Sequence, residues 1–381
     1  MSSEEAPAIT ISHEDEDILK AFEIPSMVFV PMVLKGALEL GILELLAKCG
    51  QLSPLDIAAR LSIDNPATPD IINRLLRLLA SYSILSCTLV EDKGGPPRGS
   101  TTSGLGASSF WTTMELLMHQ LICYSKKRLS WKAGLCLYNL RIFTHPHCLK
   151  DLVKEGGADP FTRTHGMNLF DYMGQDPRFN DLYNKSMMSS SAIYMAKIAQ
   201  HYSGFSKAKT VVDLGGGVGV TLQTILSMNP HIHAINYDLP HVIAAAPPVP
   251  GKIDPNYIEG ITHVGGDIVK AVPKADVHFP KSVLHCGDDD FCVKVLKNCW
   301  EALPPTGKVV IVDEVIPEYP GTDDVSQTNF LMELNALRFA PGAKARTQRE
   351  FAELARASGF HAPKYVLRVY NLWLIELHKK M

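Results

Sequence analysis

Between residues 31 and 47 apolar side chains recur three and four positions apart. Val33, Leu34, Ala37, Leu38, Gly41, Ile42, Leu45 and Leu46 share one side, with Lys35, Glu39 and Glu44 on the others. The spacing predicts one amphipathic helix. Ser53-Pro54-Leu55-Asp56 reads as the start of a second, with a side-chain N-cap, a proline in the first turn and an acid at the third position. A third is expected over 69–81, where Ile71, Ile72, Leu75, Leu76, Leu78 and Leu79 form an apolar face around Arg74 and Arg77. Residues 84–90 then read as a strand that the following Asp-Lys-Gly-Gly-Pro-Pro run turns back. Three helices and a hairpin make a winged-helix-like unit.

Residues 100–147 follow no sustained period, and Cys136, His145, His147 and Cys148 there match no zinc-finger spacing. Beyond Gly166 the pattern is helical to about residue 203. From Thr210 onward short apolar runs alternate with helical segments. The runs 211–214, 234–237, 261–264, 277–279 and 309–312 read as buried parallel strands. Residues 365–369 and 372–377, joined through Tyr370-Asn371, read as an antiparallel pair closing the sheet. The expected fold class is α/β: a doubly wound domain over 161–381, preceded by a mostly helical winged-helix region over 1–160.

The strand at 210–214 runs straight into Gly215-Gly216-Gly217-Val218-Gly219. Glycines let the backbone pass close to a ligand, and the helix that follows offers unsatisfied N–H groups. The nicotinamide fingerprint Gly-x-Gly-x-x-Gly would need glycine where Val220 stands. The spacing is instead Gly-x-Gly-x-Gly, with Asp213 two residues ahead of Gly215 and Gly217 inside the loop. An acid at that place suits a cofactor bearing an ammonium group, and S-adenosylmethionine is such a cofactor. Asp238 closes the second strand at about the ~20-residue separation at which an acid reaches a ribose diol. Asp267, after the third strand, is placed to meet the adenine side.

Charge narrows the partners. With 37 Lys+Arg against 40 Asp+Glu the net charge is −3, which disfavours a dedicated nucleic-acid surface. Asn73, Arg74 and Arg77 are the cluster that a DNA-reading third helix would use. A 46% hydrophobic share in 381 residues is enough for buried cores and argues against disorder. The amino terminus is polar and acidic, and the apolar stretch 27–33 is interrupted by Pro31, so neither a secretory signal nor a membrane span is expected. Eight cysteines with no Cys-x-x-Cys pair fit a reducing cytoplasm.

Segments 31–40, 74–80, 176–180, 212–217, 238–243, 263–267, 296–304 and 346–348 carry a resemblance. Among them are Val212-Asp213-Leu214-Gly215-Gly216-Gly217, Asp238-Leu239-Pro240-His241-Val242-Ile243 and Arg346-Thr347-Gln348. Together they resemble the plant small-molecule O-methyltransferases, most closely the caffeate/5-hydroxyferulate group. The likeness lapses after Gly99 and resumes at Leu149-Lys150-Asp151-Leu152, as a frame-shifted or mis-spliced translation of an ordinary segment would make it. The resemblance implies a homodimer built by the winged-helix region and a Rossmann-like catalytic domain. It also implies that S-adenosyl-L-methionine methylates a small phenolic substrate without a metal. Carried over, Gly215, Asp238, Asp267, Ile268 and Lys281 line the cofactor, with Ser191 near its carboxylate. Met187, Asn335 and Phe339 fall in the phenol pocket.

A phenol of pKa near ~10 is mostly protonated at neutral pH, so transfer to its oxygen needs a base. His285 follows the fourth strand, at the carboxyl edge where such sheets bind ligands, and occupies the family's catalytic histidine position. Glu314, after the fifth strand, matches the carboxylate that orients it. The family's second carboxylate is Ala345 here, so His285 is expected to rest on Glu314 alone. Gly287 stands where the family has tryptophan, and Pro280 interrupts a central strand. These departures motivate an alternative: a dimerisation partner that keeps the cofactor fold and turns over poorly.

Overall fold

The computed structural model describes residues 18–20, 23, 26–27, 29–90, 98–102, 148–156, 159–245, 260–337 and 339–379. Cys136, His145, His147 and nearly all of the aperiodic 100–147 stretch lie outside the described residues. Two helices, α1 (Phe29–Glu39) and α2 (Ile42–Cys49), replace the one expected over 31–47. Gly41 between them has φ 73°, a left-handed backbone that ends the first and redirects the second. α3 (Pro54–Arg60) starts on its expected cap, where Ser53 Oγ accepts from Asp56 N and Asp56 Oδ2 accepts from Ser53 N, both at 3.1 Å. α4 (Thr68–Ser81) buries the apolar face that its periodicity predicts. β1 (Ser86–Val90) and β2 (Arg98–Thr102) form the hairpin.

Helices α5 (Cys148–Glu155), α6 (Pro160–His165), α7 (Leu169–Gln175) and α8 (Pro177–His201) follow. The helical run expected beyond Gly166 is thus two helices, divided where Asp176 caps α8 ahead of a proline. Then come β3 (Thr210–Leu214), α9 (Val220–Met228), β4 (His233–Asp238), α10 (Pro240–Ala245), β5 (Ile261–Gly265), β6 (Val277–Pro280), α11 (Asp289–Ala302) and β7 (Lys308–Glu314). The chain ends through α12 (Asp324–Ala336), α13 (Gln348–Ala357), β8 (Lys364–Val369) and β9 (Leu372–His378).

Seven strands make one sheet in the order β5-β4-β3-β6-β7-β9-β8. The first five in that order are parallel, and β9 runs antiparallel to both β7 and β8. Val211, Val212, Val309 and Ile311 are fully buried, as expected of strands covered on both faces. From β3 the sheet grows outward through β4 and β5 on one side and through β6 and β7 on the other. That reversal opens a crevice beyond the carboxyl ends of β3 and β6. Pro280 is the last residue of β6, opposite Leu214. Its missing N–H falls where the β6–β7 ladder has already lapsed, to resume at a bridge between Lys281 and Val312.

Two compact units divide the chain. One comprises Met173–Val315 with Gly342–Met381 and holds the seven-stranded sheet; the other joins His13–Tyr172 to Ile316–Pro341. In the second, α12 packs on α4. Arg74 is 3% exposed with Nε 3.6 Å from Glu333 Oε1, and Arg77 donates to Pro317 O while lying 4.7 Å over the Phe330 ring. The two arginines of the third helix are therefore engaged in packing within their own unit. Among the described residues no helix is long and apolar enough to cross a membrane.

Candidate active site

The parallel strands carry Gly215, Asp238, Asp267, Lys281 and Glu314 to one edge of the sheet, each at a strand end or in the turn after it. Gly215 and Gly217 adopt φ 70° and 58°, which L side chains rarely tolerate. At Gly216 the limit is space, since a Cβ would come within 2.7 Å of Asp213 Oδ2. Asp238 holds the loop: its Oδ2 accepts from Gly217 N at 2.8 Å and its Oδ1 from Leu239 N at 2.7 Å. Asn236, which sequence reasoning passed over, adds a donor to Gly217 O at 2.8 Å.

Asp213 is 1% exposed, and its Oδ2 has no hydrogen-bond partner. Burial pushes this carboxyl up to about 7, with Lys281 pulling it down and Asp238 pushing it further up. Burial lowers the Lys281 ammonium, opposed by Asp213, Asp313 and Glu314. An orphaned carboxylate oxygen beside glycine backbone with no room for a side chain fits a ligand that brings its own cation. Further along the edge Asp267 Oδ1 accepts from Val269 N at 2.9 Å. Ile268 packs on the sheet's core and its carbonyl accepts from Asn298 Nδ2 at 2.8 Å. Ser191 is buried on α8, the helix that also carries Met187. Asn335 and Phe339 belong to the other unit, where Phe339 stacks on Phe170 with ring centroids 5.8 Å apart.

His285 sits in a 3-10 turn, Leu284–Cys286, between β6 and α11. Its Nδ1 lies 2.6 Å from Asp313 Oδ1 and 3.0 Å from Glu314 Oε2. The contact to Asp313 is the shorter of the two, and Glu314 faces the same ring nitrogen. Asp313 is 1% exposed. Its Oδ2 accepts from Leu284 N at 3.1 Å and His285 N at 3.3 Å, and its Oδ1 also accepts from Glu314 N at 3.0 Å. His285 does not rest on Glu314 alone: the acid missing at Ala345 has a counterpart one residue before Glu314. Neighbours on a strand point to opposite faces, so Asp313-Glu314 reads in sequence as one inward and one outward acid. Both reach His285 because the chain after β6 crosses the end of β7, where Ser282 N donates to Val312 O at 2.8 Å. The available signal was an acid ending the apolar run Val309-Val310-Ile311-Val312.

Arg346, 1% exposed, clamps the same turn. Its Nη1 donates to Leu284 O at 2.8 Å, Nη2 to Gly287 O at 2.9 Å and Nε to Asp289 Oδ1 at 2.8 Å. A Cβ on Gly287 would meet Phe291 Cβ at 2.8 Å, so Phe291 fills the room a larger residue at 287 would need. Burial by itself lowers the His285 imidazole, but Glu314, Cys286 and Asp313 outweigh it and hold the ring well above its ordinary range. Burial raises Asp313, and the imidazole beside it more than reverses this, leaving the carboxyl well below the usual carboxylate range. Glu314 is raised, by burial and then by Asp313, against the pull of His285. The ligand atoms of His285, Asp313 and Glu314 lie within 4.8 Å of one another, near enough for a metal ion. With N–H donors on both Asp313 oxygens, the arrangement is that of a histidine oriented by a carboxylate.

A glycine loop at the switch point of a doubly wound sheet, with a carboxylate-held histidine at the same edge, defines a nucleotide-cofactor enzyme equipped to move a proton. Residues 147–361 match the O-methyltransferase domain model, and residues 22–103 the O-methyltransferase dimerisation domain model. The chain is 40% identical to caffeic acid 3-O-methyltransferase of Catharanthus roseus, over 96% of each chain. It is 37% identical to esculetin O-methyltransferase of Kitagawia praeruptora, over 98% of each. The solved structure of human N-acetylserotonin methyltransferase in complex with SAM shares the fold, with TM-score 0.56 and 19% identity over 100% of both chains. The chain belongs to the O-methyltransferase family. It is an S-adenosyl-L-methionine-dependent enzyme with a dimerisation domain and a small-molecule substrate.

Proposed function

We propose that this enzyme methylates a phenolic hydroxyl of a small, phenylpropanoid-like aromatic, with His285 as general base. The observation that carries the reading is His285 Nδ1 at 2.6 Å from Asp313 Oδ1. With that nitrogen protonated, the basic lone pair is on Nε2, where a phenol proton is taken up. The cofactor supplies a methyl group on a positive sulfur. The chain's own task is to bind the phenol, remove its proton and stabilise the imidazolium that results, which Glu314 does by charge. In this reading Asp213 meets the cofactor's ammonium, Asp238 its ribose, Asp267 and Ile268 its adenine side. Gly215 and Gly217 give backbone access, and Lys281 and Ser191 complete the cofactor set. Met187, Asn335 and Phe339 contact the substrate, and no metal takes part. The phenols in the names of two relatives support the substrate class.

The same reading makes the protein a homodimer through region 1–160, with methyltransferase chemistry in 161–381, working in the cytoplasm. The dimerisation-domain match supports the first point, and the free Cys49, Cys87, Cys286, Cys292 and Cys299 fit a reducing setting. Pure protein given methyl-labelled cofactor and a panel of catechols is expected to label the phenol oxygen, and His285→Ala to lose about 10²-fold or more. Equal background in both proteins would instead favour the poorly active dimerisation partner. Against that alternative, the active reading is supported by Asp313 beside His285, by the place of Pro280 at a strand end and by Phe291 packed where a side chain at Gly287 would stand.

A further inference from the structure

We infer that His263 is a positioning residue for the cofactor: its neutral ring fixes the direction of the Asn236 amide, which holds Gly217 in place and leaves Asp213 to the ligand. This rests on the reading of 215–219 as the cofactor loop. Asp213, Asn236 and His263 are direct partners across three adjacent parallel strands, Asp213 opposite Asn236 and Asn236 opposite His263. Residues in register on parallel neighbours share a face, so the three form one polar row. The row runs under the glycines. A Cβ on Gly216 would stand 2.1 Å from Asn236 Oδ1 and 2.7 Å from Asp213 Oδ2, and one on Gly219 would stand 3.3 Å from His263 Cε1. Asn236 is fully buried and Asp213 is 1% exposed, so a polar atom left unmatched in the row is costly.

A side-chain amide carries two N–H donors on its nitrogen and only acceptor capacity on its oxygen. Asn236 Nδ2 lies 2.8 Å from Gly217 O and 3.0 Å from His263 Nδ1, so both donors are engaged. Asn236 Oδ1 and Asp213 Oδ2 face the same point at Gly216 and have no hydrogen-bond partner among the described residues. Turning the amide over would give Asp213 a donor from within the chain, at the expense of Gly217 O and in competition with a ligand cation. It would also set Oδ1 against His263 Nδ1, which is unfavourable while that nitrogen carries a lone pair. Nδ1 accepts only when the ring proton is on Nε2, and burial lowers the proton affinity of the ring, which favours its neutral form. With Asp238 Oδ2 on Gly217 N, the amide completes a two-sided hold on Gly217 from one strand. Lys281 and Asp238 face Asp213, and His241 faces Asp238. All three are kept in the variants that test the row.

The test joins nitrogen NMR of the full chain labelled with 15N-histidine to calorimetric titration with S-adenosyl-L-methionine. The His263 signals are assigned by their loss in His263→Phe. Above its titration, wild type is expected to show an unprotonated Nδ1 and a protonated Nε2. Asn236→Asp, whose carboxylate only accepts, is expected to move the proton to Nδ1. Asn236→Leu is expected to weaken cofactor binding about tenfold or more, and His263→Phe about threefold or more. A protonated Nδ1 on the neutral ring of wild type overturns the proposal, as does His263→Phe binding within about twofold of wild type. Should Asn236→Leu fail to fold, the wild-type spectrum and His263→Phe carry the test. Gly217→Val probes the loop itself, because the left-handed backbone there disfavours a β-branched side chain. If that variant binds as wild type does, the loop reading fails and the inference with it. If it binds poorly while His263→Phe binds normally, the row fails and the loop reading stands.

Discussion

Asp213 and His285 both depart from their ordinary proton affinities, and each departure has a measurable consequence. Asp213 titrates at about 7 in the folded chain, against an unfolded value near ~3.9. The folded state then holds a proton that the unfolded chain has released, so this group's contribution to stability falls as pH rises between those values. In the proposed reading, in which Asp213 meets the cofactor's ammonium, that cation would favour the carboxylate and expel the proton. Calorimetric titration of the cofactor at pH ~6, in buffers of different ionisation enthalpy, is expected to show release of up to about one proton, abolished in Asp213→Asn. With His285 as the proposed base, the raised affinity is expected to place the acid limb of kcat/KM well above ~6.5, because only the neutral ring accepts a proton. Glu314→Gln removes a negative neighbour, so the limb moves to lower pH; a pH–rate profile checks the direction. A limb that stays in place would mean that Glu314 contributes no charge to the ring.

At the scale of elements, caps and periodicity made most of the helices legible, and glycine corrected the rest. The break at Gly41 has no apolar signature, because the periodic face continues across it while the backbone turns. The far edge of the sheet shows what strand pairing adds. Lys308 opens β7 and His378 closes β9, and between them Glu376 Oε1 meets Lys308 Nζ at 2.5 Å and Tyr202 OH at 2.6 Å, with His378 Nε2 3.0 Å from its Oε2. Burial raises the Glu376 carboxyl, but these partners bring it down to about 2. Its contribution is present above the unfolded value of ~4.3 and is lost as pH falls towards 2. Glu376→Gln is therefore expected to cost about 2–3 kcal/mol at pH 7 and almost nothing near pH 2, read by urea unfolding across that range. Nothing in the sequence paired these residues, since 68 positions separate Lys308 from Glu376.

For the whole molecule, cofactor binding and folding are linked. Cofactor at about 100 times its Kd is expected to add about 2.7 kcal/mol, or about 5–10 °C in the Tm of a unit of ~200 residues. EDTA is expected to leave both that shift and methyl transfer unchanged; loss of turnover in chelator would remove the metal-free reading. The near-neutral charge of the chain says nothing of where its arginines go. Arg74 and Arg77 lie on the helix that a winged-helix reader would turn to DNA, yet they are engaged with Glu333, Pro317 and Phe330. Those partners come from Ile316–Pro341, a segment that returns from the far half of the chain to complete the amino-terminal unit.

By itself the sequence determined what is local or periodic: the capped helices, the alternating buried strands, the glycine loop, and the acids at strand ends. These rest on backbone geometry and on burial of one face, which neighbouring residues specify together. Tertiary structure alone decided what joins distant positions. It replaced the acid absent at Ala345 with Asp313, brought Arg346 to the turn of His285, and gave residues 316–341 to the other unit. Side-chain partners across strand ends depend on how the chain crosses the sheet, and no spacing within one segment encodes that.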